Sequence, residues 1–242
     1  MALAPLRVSP VVVVVANGIA GLAAAAAIAG EHLVVAAVLL QLRTLLDNAD
    51  GQLARVTGRT SALGRYLDTE VDLVVNAALF VALAYTTSSP VLALVGFVAL
   101  TVVLSADFDT DVLYRRARGE SVVVDPDAAS EGRTARALAW IYRLVFGPQD
   151  RTLQAFSRRR LERALGDVSD PGLRTRATLA YYDDVTATIL ANLGLSTQHA
   201  ILGVCLVLGA PSVYLWLVLA VAALLPLLQL RRERAARRAL RA

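Results

Sequence analysis

The sequence predicts an all-α polytopic membrane protein with six transmembrane helices and an amphipathic cytoplasmic segment between the fourth and the fifth. Hydrophobic residues make up 57% of the 242 positions and charged residues 18%, whereas soluble domains are about 45–50% apolar. The mean hydropathy is +0.58. One cysteine and two histidines exclude a disulfide framework and the usual zinc centres. We treat residues 1–242 as a single integral-membrane domain.

Six stretches are predicted to span the bilayer, because each approaches the ~20 mainly apolar residues that a spanning helix needs. The first is uncharged throughout, which favours a retained helix over a cleaved signal peptide. The second and third carry charges towards their short connection, and a Gly209-Ala210-Pro211 turn separates the last two. The predicted spans are 8–30, 31–57, 61–87, 89–107, 190–209 and 211–230.

Arginines indicate the orientation of the predicted helices. The polar segment 114–176 contains Arg-rich amphipathic stretches at 135–146 and 151–165, which we expect to lie along the membrane surface. This segment, Arg7, the connection after the second span and the tail 231–241 all fall on one side. The positive-inside rule makes that side cytoplasmic, with both termini and the site described next. We expect the cytoplasmic membrane of a bacterium.

Four aspartates within predicted spans are the main candidate functional residues, because ionisable side chains in a bilayer are costly. Asp47 and Asp50 lie three residues apart on the second span, and Asp68 and Asp72 lie four apart on the third, so each pair shares a helical face. The two helices should run antiparallel and bring the pairs together. Such a cluster repels itself unless protons or a cation neutralise it. Oxygen ligands favour Mg²⁺ or Mn²⁺, and four carboxylates can hold two ions.

Small residues accompany the aspartates. Gly51, Ala54 and Gly64 would let a ligand approach the helix backbone closely, although tight helix packing explains glycine equally well. Arg55 adds a cation that could meet a phosphate or extend to the membrane interface.

The segment 47–72 resembles the signature of the CDP-alcohol phosphotransferase family, DxxDGxxAR followed by eight residues and GxxxDxxxD. All the fixed positions match. The resemblance implies a membrane enzyme that transfers the phospho-lipid or phospho-alcohol part of a CDP-linked donor to a hydroxyl, with two divalent metals. Asp47, Asp50, Asp68 and Asp72 are then metal ligands, and Asp72 is also the general base. The implied nucleotide and pyrophosphate residues are Asp47, Gly51, Ala54, Arg55 and Gly64.

The resemblance leaves two substrate pairs open. The size of the chain favours the branch that transfers phosphatidyl from CDP-diacylglycerol to a small polar alcohol such as glycerol phosphate, inositol phosphate or serine, and releases CMP. The connection 57–64 looks like the branch that uses CDP-choline or CDP-ethanolamine with diacylglycerol. A phosphorylated acceptor would need cations, unless these only anchor the protein at the membrane. The candidates are Arg115, Arg116, Arg118, Arg133 and Arg136.

A cation transporter would also place acidic residues in the membrane. That hypothesis accounts for neither Arg55 nor the glycine spacing, and the sequence does not show the paired broken helices that are typical of transporters. A catalytically inactive membrane scaffold would have to bury four aspartates without a ligand, which is energetically costly. The expected partners are the CDP-linked lipid donor, the alcohol acceptor, membrane lipids and, by the resemblance, a second copy in a homodimer. Nucleic acid is not an expected partner.

Other polar residues lead to weaker expectations. The family commonly has a Pro-Asn pair near the start of helix one, whereas Pro10 precedes Val11 here, so we expect that asparagine's contact to be missing. We interpret Asp107, Asp109 and Asp111 as a charge ladder with Arg115 rather than a second metal site. Two further groups are expected to be interfacial or structural, namely Asp183 and Asp184 beside Tyr181 and Tyr182, and His32 and His199.

Overall fold

The computed structural model describes residues 10–57, 62–121 and 132–241. Throughout these ranges the regular structure is helical, which confirms the predicted all-α class. The helices are α1 (Pro10–Ala29), α2 (Leu33–Thr57), α3 (Ala62–Thr86), α4 (Pro90–Ala117), α5 (Arg133–Leu165), α6 (Pro171–Tyr181), α7 (Asp184–Ala191), α8 (Leu195–Val207) and α9 (Pro211–Ala239).

Within the described ranges, four helical stretches are long and apolar enough to cross a membrane: Val11–Ala29, Pro90–Ala117, Pro171–Val207 and Pro211–Ala239. The third of these comprises α6, α7 and α8. Helices α2 and α3 have 25 residues each and are not among the four. Both contain aspartates within the helix. The membrane-embedded class is therefore supported, while six spans and a cytoplasmic segment stay predictions.

Several helix boundaries differ from the predicted ones: α4 continues to Ala117 and α9 to Ala239, beyond the predicted ends at 107 and 230. Two further differences change the number of helices. Where two amphipathic stretches are predicted, α5 is one helix of 33 residues that continues through Pro148. A proline inside a helix lacks one hydrogen-bond donor and crowds the carbonyl four residues earlier, and this can kink the helix without ending it. The predicted fifth span, 190–209, is not one helix, because it starts at the end of α7 (Asp184–Ala191) and continues in α8 from Leu195. The Asp183 carboxylate caps α7 by accepting a 2.9 Å bond from Thr186 N.

The described chain divides into two compact units. Of the described residues, the first comprises 10–57, 62–98, 132–144 and 196–218, and in it α1 packs against α2 and α3. Small residues make this contact close. A Cβ added at Gly18 would lie 2.9 Å from Val71 Cγ1, and one at Gly21 would lie 2.4 Å from Val75 Cγ1. Ala24 and Ile28 extend the same buried face of α1.

The second unit comprises, of the described residues, 99–121, 145–195 and 219–241. Its apolar core includes Leu113 of α4, Leu161 of α5, Tyr181 of α6 and Ala236 of α9. Polar side chains are buried beside this core. Tyr181 Oη donates to the Ser157 carbonyl at 3.0 Å and accepts from Gln229 Nε2 at 2.8 Å, so α5, α6 and α9 share a hydrogen-bonded layer.

The close contact at Gly21 generates a stability prediction. A Gly21→Ala variant places a methyl group against Val75 and against Arg43, whose Cδ and Nε would lie 2.9 Å away. We expect the free energy of unfolding to fall by about 1–2 kcal/mol, although alanine is the better helix former. Thermal unfolding in detergent micelles measures this. Gly30→Ala, whose added Cβ has contacts of 3.4 Å or more, is the matched control and should retain wild-type stability. Equal melting temperatures of the two variants would contradict the prediction.

Candidate functional site

Three of the four predicted aspartates come together in the first unit. Asp47 of α2 and Asp68 and Asp72 of α3 each offer a carboxylate oxygen, and these atoms lie within 4.8 Å of one another. All three side chains are half-buried. Because α2 and α3 are consecutive in the chain, their charged ends meet, as the spacing predicts. Carboxylate oxygens this close fit a hard divalent cation such as Mg²⁺ or Mn²⁺.

The other residues of the signature are only partly described. Gly64 lies in the first turn of α3 and is half-buried. Asp50, Gly51, Ala54 and Arg55 belong to the helical stretch of α2, but the details of their side chains and surroundings lie outside the described structure. Their predicted roles, and that of Gly64, therefore stay predictions.

Asn17 of α1 contacts the site, a contact that the sequence analysis missed. Its side chain is fully buried, and its Nδ2 donates to Asp47 Oδ1 at 3.1 Å. The chain lacks a Pro-Asn pair at Pro10, yet the first helix still supplies an asparagine to the first aspartate of the signature. This hydrogen bond holds one carboxylate oxygen of Asp47 in a fixed direction.

Arg43 is the second residue that the sequence analysis missed. Its side chain is 0% exposed, and its Nη2 lies 2.5 Å from Asp72 Oδ1 in an ion pair. It lies on α2, one helical turn before Asp47, and is close enough to Asp47 for electrostatic attraction. An arginine inside a predicted span is a functional signal, because burying an unpaired charge in a membrane is costly. The sequence carried that signal.

His199 of α8 lies on the other side of Arg43. The Arg43 guanidinium donates through Nη1 to His199 Nδ1 at 2.8 Å, and His199 Nε2 lies 3.2 Å from Asn76 Oδ1. Since a guanidinium only donates and an amide oxygen only accepts, a neutral imidazole with its proton on Nε2 satisfies both of these contacts. His199 is 156 residues from Arg43, and no spacing in the sequence indicates this contact. The expected structural role of His199 fits this position beside the site.

Charge is unevenly distributed among the described side chains of this cluster. Three carboxylates stand against one guanidinium, and Arg43 contacts Asp72 directly. One positive charge cannot neutralise three negative charges, so the described cluster retains negative charge. A site of this composition attracts a cation or a cationic group. The hydrogen bonds from Asn17 and Arg43 fix two of the carboxylates in advance of binding.

The five candidate acceptor arginines divide between the two units. Arg115 pairs with Asp111 at 3.0 Å on exposed faces of α4, so this pair of the predicted charge ladder is present, whereas Asp109 is buried, bonds to Gln154 and is not part of the ladder. The Arg118 guanidinium lies 3.5 Å from the centre of the Tyr114 ring and donates to the Tyr182 carbonyl at 2.9 Å. Arg116 is exposed in the second unit, and Arg133 and Arg136 are exposed in the first. Acceptor binding stays a prediction for all five.

The buried ion pair predicts a large difference between two arginine variants. Arg43→Met removes a fully buried cation and leaves Asp72, which is 24% exposed, without its guanidinium. We expect the free energy of unfolding to fall by about 3 kcal/mol. Arg115→Met removes an exposed pair and should cost less than about 1 kcal/mol. Thermal unfolding of both variants in the same detergent makes the comparison, and equal stability would show that the buried guanidinium is dispensable.

Comparison with known proteins bears on the identity of the chain. Over 78 residues it is 37% identical to the "Bifunctional IPC transferase and DIPP synthase" of Thermococcus kodakarensis, a match that covers 32% of this chain and 18% of that protein. The chain thus matches about a fifth of that relative's length. No solved structure matches it.

The family comparison covers a larger part of the chain. Residues 7–147 match the CDP-alcohol phosphatidyltransferase family, and this range is more than half of the chain. It includes Asn17, Arg43 and the whole aspartate signature. The chain belongs to the CDP-alcohol phosphatidyltransferase family.

Proposed function

We propose that the protein is a membrane-bound enzyme of phospholipid synthesis that transfers the phosphatidyl group of CDP-diacylglycerol to the hydroxyl of a small polar alcohol, releasing CMP. One observation carries the proposal: Asp47, Asp68 and Asp72, all at signature positions, present their oxygens within 4.8 Å of one another. The family match and the transferase named among the relatives support transfer of a phosphate-containing group.

The aspartates would bind the catalytic ions. Asp47, Asp68 and Asp72, together with Asp50, are the residues that would hold two Mg²⁺ or Mn²⁺ ions. When bound, such ions neutralise the pyrophosphate and the departing CMP. Asn17 fixes Asp47 from α1, and Arg43 fixes Asp72 within the first unit. The chain itself therefore contributes preorganisation, the main requirement of phosphoryl transfer.

Asp72 is the proposed general base. Its carboxylate would accept the proton of the acceptor hydroxyl as the hydroxyl oxygen forms a bond to the phosphatidyl phosphorus, while the bond from that phosphorus to CMP breaks. The ion pair with Arg43 engages Oδ1 and limits the rotation of the carboxylate. Gly51, Ala54, Arg55 and Gly64 are the proposed contacts of the cytidine and pyrophosphate. The exposed arginines of α4 and α5 are candidates for a phosphorylated acceptor.

The proposed setting is the cytoplasmic membrane of a bacterium, with six spans, both termini and the site facing the cytoplasm. Residues 1–242 would form one integral-membrane domain that pairs with a second copy. Four helical stretches of sufficient length and apolarity among the described residues support the membrane location. In this setting a lipid donor reaches the aspartates from the bilayer, and a polar acceptor reaches them from water.

The connection 57–64 favours one alternative within the same family, in which CDP-choline or CDP-ethanolamine donates to diacylglycerol. The same aspartates would hold the metal ions, and the hydrophobic substrate would be the acceptor instead of the donor. Cation transport remains the alternative from another class. It uses carboxylates but has no need of a nucleotide site, and the family match favours the enzyme.

The base and the metal ligands can be tested together by CMP release from CDP-diacylglycerol. Asp72→Asn should lower the rate at least about 100-fold, because the amide cannot take up the hydroxyl proton. Chelation of divalent ions should abolish release, and re-addition of Mg²⁺ or Mn²⁺ should restore it. Electron paramagnetic resonance of Mn²⁺ should show weaker binding to Asp47→Asn, independently of turnover.

The matched control for the base is Asp167→Asn, which changes an exposed carboxylate between α5 and α6 and should leave the rate unchanged. Melting temperatures close to wild type would show that the variants are folded. Undiminished CMP release by folded Asp72→Asn would eliminate Asp72 as the base. Mn²⁺ binding without CMP release from any CDP-linked donor would instead favour the transporter.

A substrate panel distinguishes the two branches. With CDP-diacylglycerol, we expect CMP release only when glycerol phosphate, inositol phosphate, inositol or serine is present. A phosphorylated acceptor should lose affinity in Arg133→Ala or Arg136→Ala if these cations bind it, whereas serine should not. Release only with CDP-choline or CDP-ethanolamine and diacylglycerol would establish the aminoalcohol branch and overturn the proposed donor.

A further inference from the structure

A half-open cavity of about 580 Å³ lies within the second unit. It is enclosed by α4, α5, α7 and α9, and its walls are mainly apolar, including Val102, Leu153, Phe156 and Leu225. Apart from five residues of α4, the lining lies beyond residue 147, where the family match ends. None of the aspartates at the candidate metal site lines it. Cavities of roughly 300–1,000 Å³ with mostly apolar walls are typical of small-molecule sites.

Asp109 is the acidic residue of this cavity and is 3% exposed. Its Oδ1 accepts a 2.7 Å hydrogen bond from Gln154 Nε2. Its Oδ2 is buried and has no hydrogen-bond partner within the described residues. A buried carboxylate oxygen without a donor is costly. Asp109 therefore differs from Asp111, which forms the exposed ladder with Arg115, and it marks a position where a ligand donor would be stabilising.

Arg232 is the basic counterpart in the lining and is 7% exposed. Its Nε donates to the Tyr181 carbonyl at 3.2 Å, and its guanidinium lies 4.5 Å from the centre of the Tyr181 ring and 5.0 Å from that of Tyr182. No carboxylate forms a salt bridge with Arg232 in the described part of the chain. The other arginine of the lining, Arg160, is already paired with Glu233 at 2.5 Å.

These two groups restrict the head group that the cavity can accept. Asp109 requires a hydrogen-bond donor and disfavours an anion, whereas the positive charge of Arg232, which already donates to the Tyr181 carbonyl and to Ser157 Oγ, disfavours a cation. An uncharged hydroxyl group meets both conditions, since it donates a hydrogen bond to Asp109 and adds no positive charge beside Arg232. The apolar walls suit a hydrocarbon body. A single chain matches the volume of the cavity better than the two chains of a diacyl lipid do.

We propose that this cavity binds a single-chain amphiphile with an uncharged hydroxyl head, of the class of monoacylglycerols and long-chain alcohols. The hydroxyl donates to Asp109 Oδ2, and the hydrocarbon chain lies along the apolar surfaces of α4, α5 and α9. The proposal concerns binding in the second unit and does not rest on the transfer reaction proposed for the aspartates.

Photoaffinity labelling of the full chain tests this proposal. The protein is reconstituted in phosphatidylcholine nanodiscs, because sugar detergents carry hydroxyl heads and would compete. Three probes share one diazirine-bearing alkyl chain and differ only in the head: a glycerol monoester, a carboxylate and a primary amine. We expect the glycerol monoester to label peptides of α4, α5 or α9 at least about fivefold more strongly than either charged probe.

Three variants sharpen the test. Asp109→Leu should lower labelling by the glycerol monoester about fivefold, and the matched variant Asp111→Leu should leave it unchanged. Ala106→Trp fills the cavity, retains the carboxylate and should abolish labelling; it also serves if Asp109→Leu does not fold. Equal labelling by the three probes, stronger labelling by a charged probe, or labelling that persists in folded Ala106→Trp would overturn the proposal. CMP release is measured separately, so loss of the proposed transferase activity would not be mistaken for loss of this site.

Discussion

The ion pair between Arg43 and Asp72 constrains the first unit more than any other described contact. A fully buried guanidinium is tolerable only when an anion and hydrogen-bond acceptors surround it. Asp72 of α3 supplies the anion, and His199 of α8 supplies an acceptor. These contacts therefore tie α2, α3 and α8 to one point, and they fix the direction of the proposed base.

The packing of α1 follows from the same constraint. The Arg43 side chain passes so close to Gly21 that an added Cβ would lie 2.9 Å from its Cδ and Nε. Asn17 lies one helical turn earlier on α1 and holds Asp47. Helix α1 thus needs a glycine beside the arginine and an amide beside the aspartate. Its other buried positions, such as Ala24 and Ile28, need only be small or apolar.

The second unit surrounds its buried charged side chains with different groups. Arg232 has aromatic rings and a carbonyl around it instead of a carboxylate, and Asp109 has an amide donor on one oxygen only. In the first unit the excess negative charge lies at the candidate metal site, whereas in the second unit the unpartnered oxygen of Asp109 lines an apolar cavity that is separate from the aspartate cluster. This position of Asp109 is the physical basis for assigning a ligand of its own to the second unit.

Local pattern determined the helical class and the apolar stretches, because hydropathy and helical spacing are properties of neighbouring residues. It also determined that Asp47, Asp68 and Asp72 share one site, because two adjacent antiparallel helices place their charged faces next to each other. Tertiary structure alone decided that Asn17 and His199 adjoin that site and that Asp109 faces a cavity while Asp111 faces outward. Those contacts join residues as far apart in the sequence as Arg43 and His199. They are set by long-range packing, which no spacing in the chain encodes.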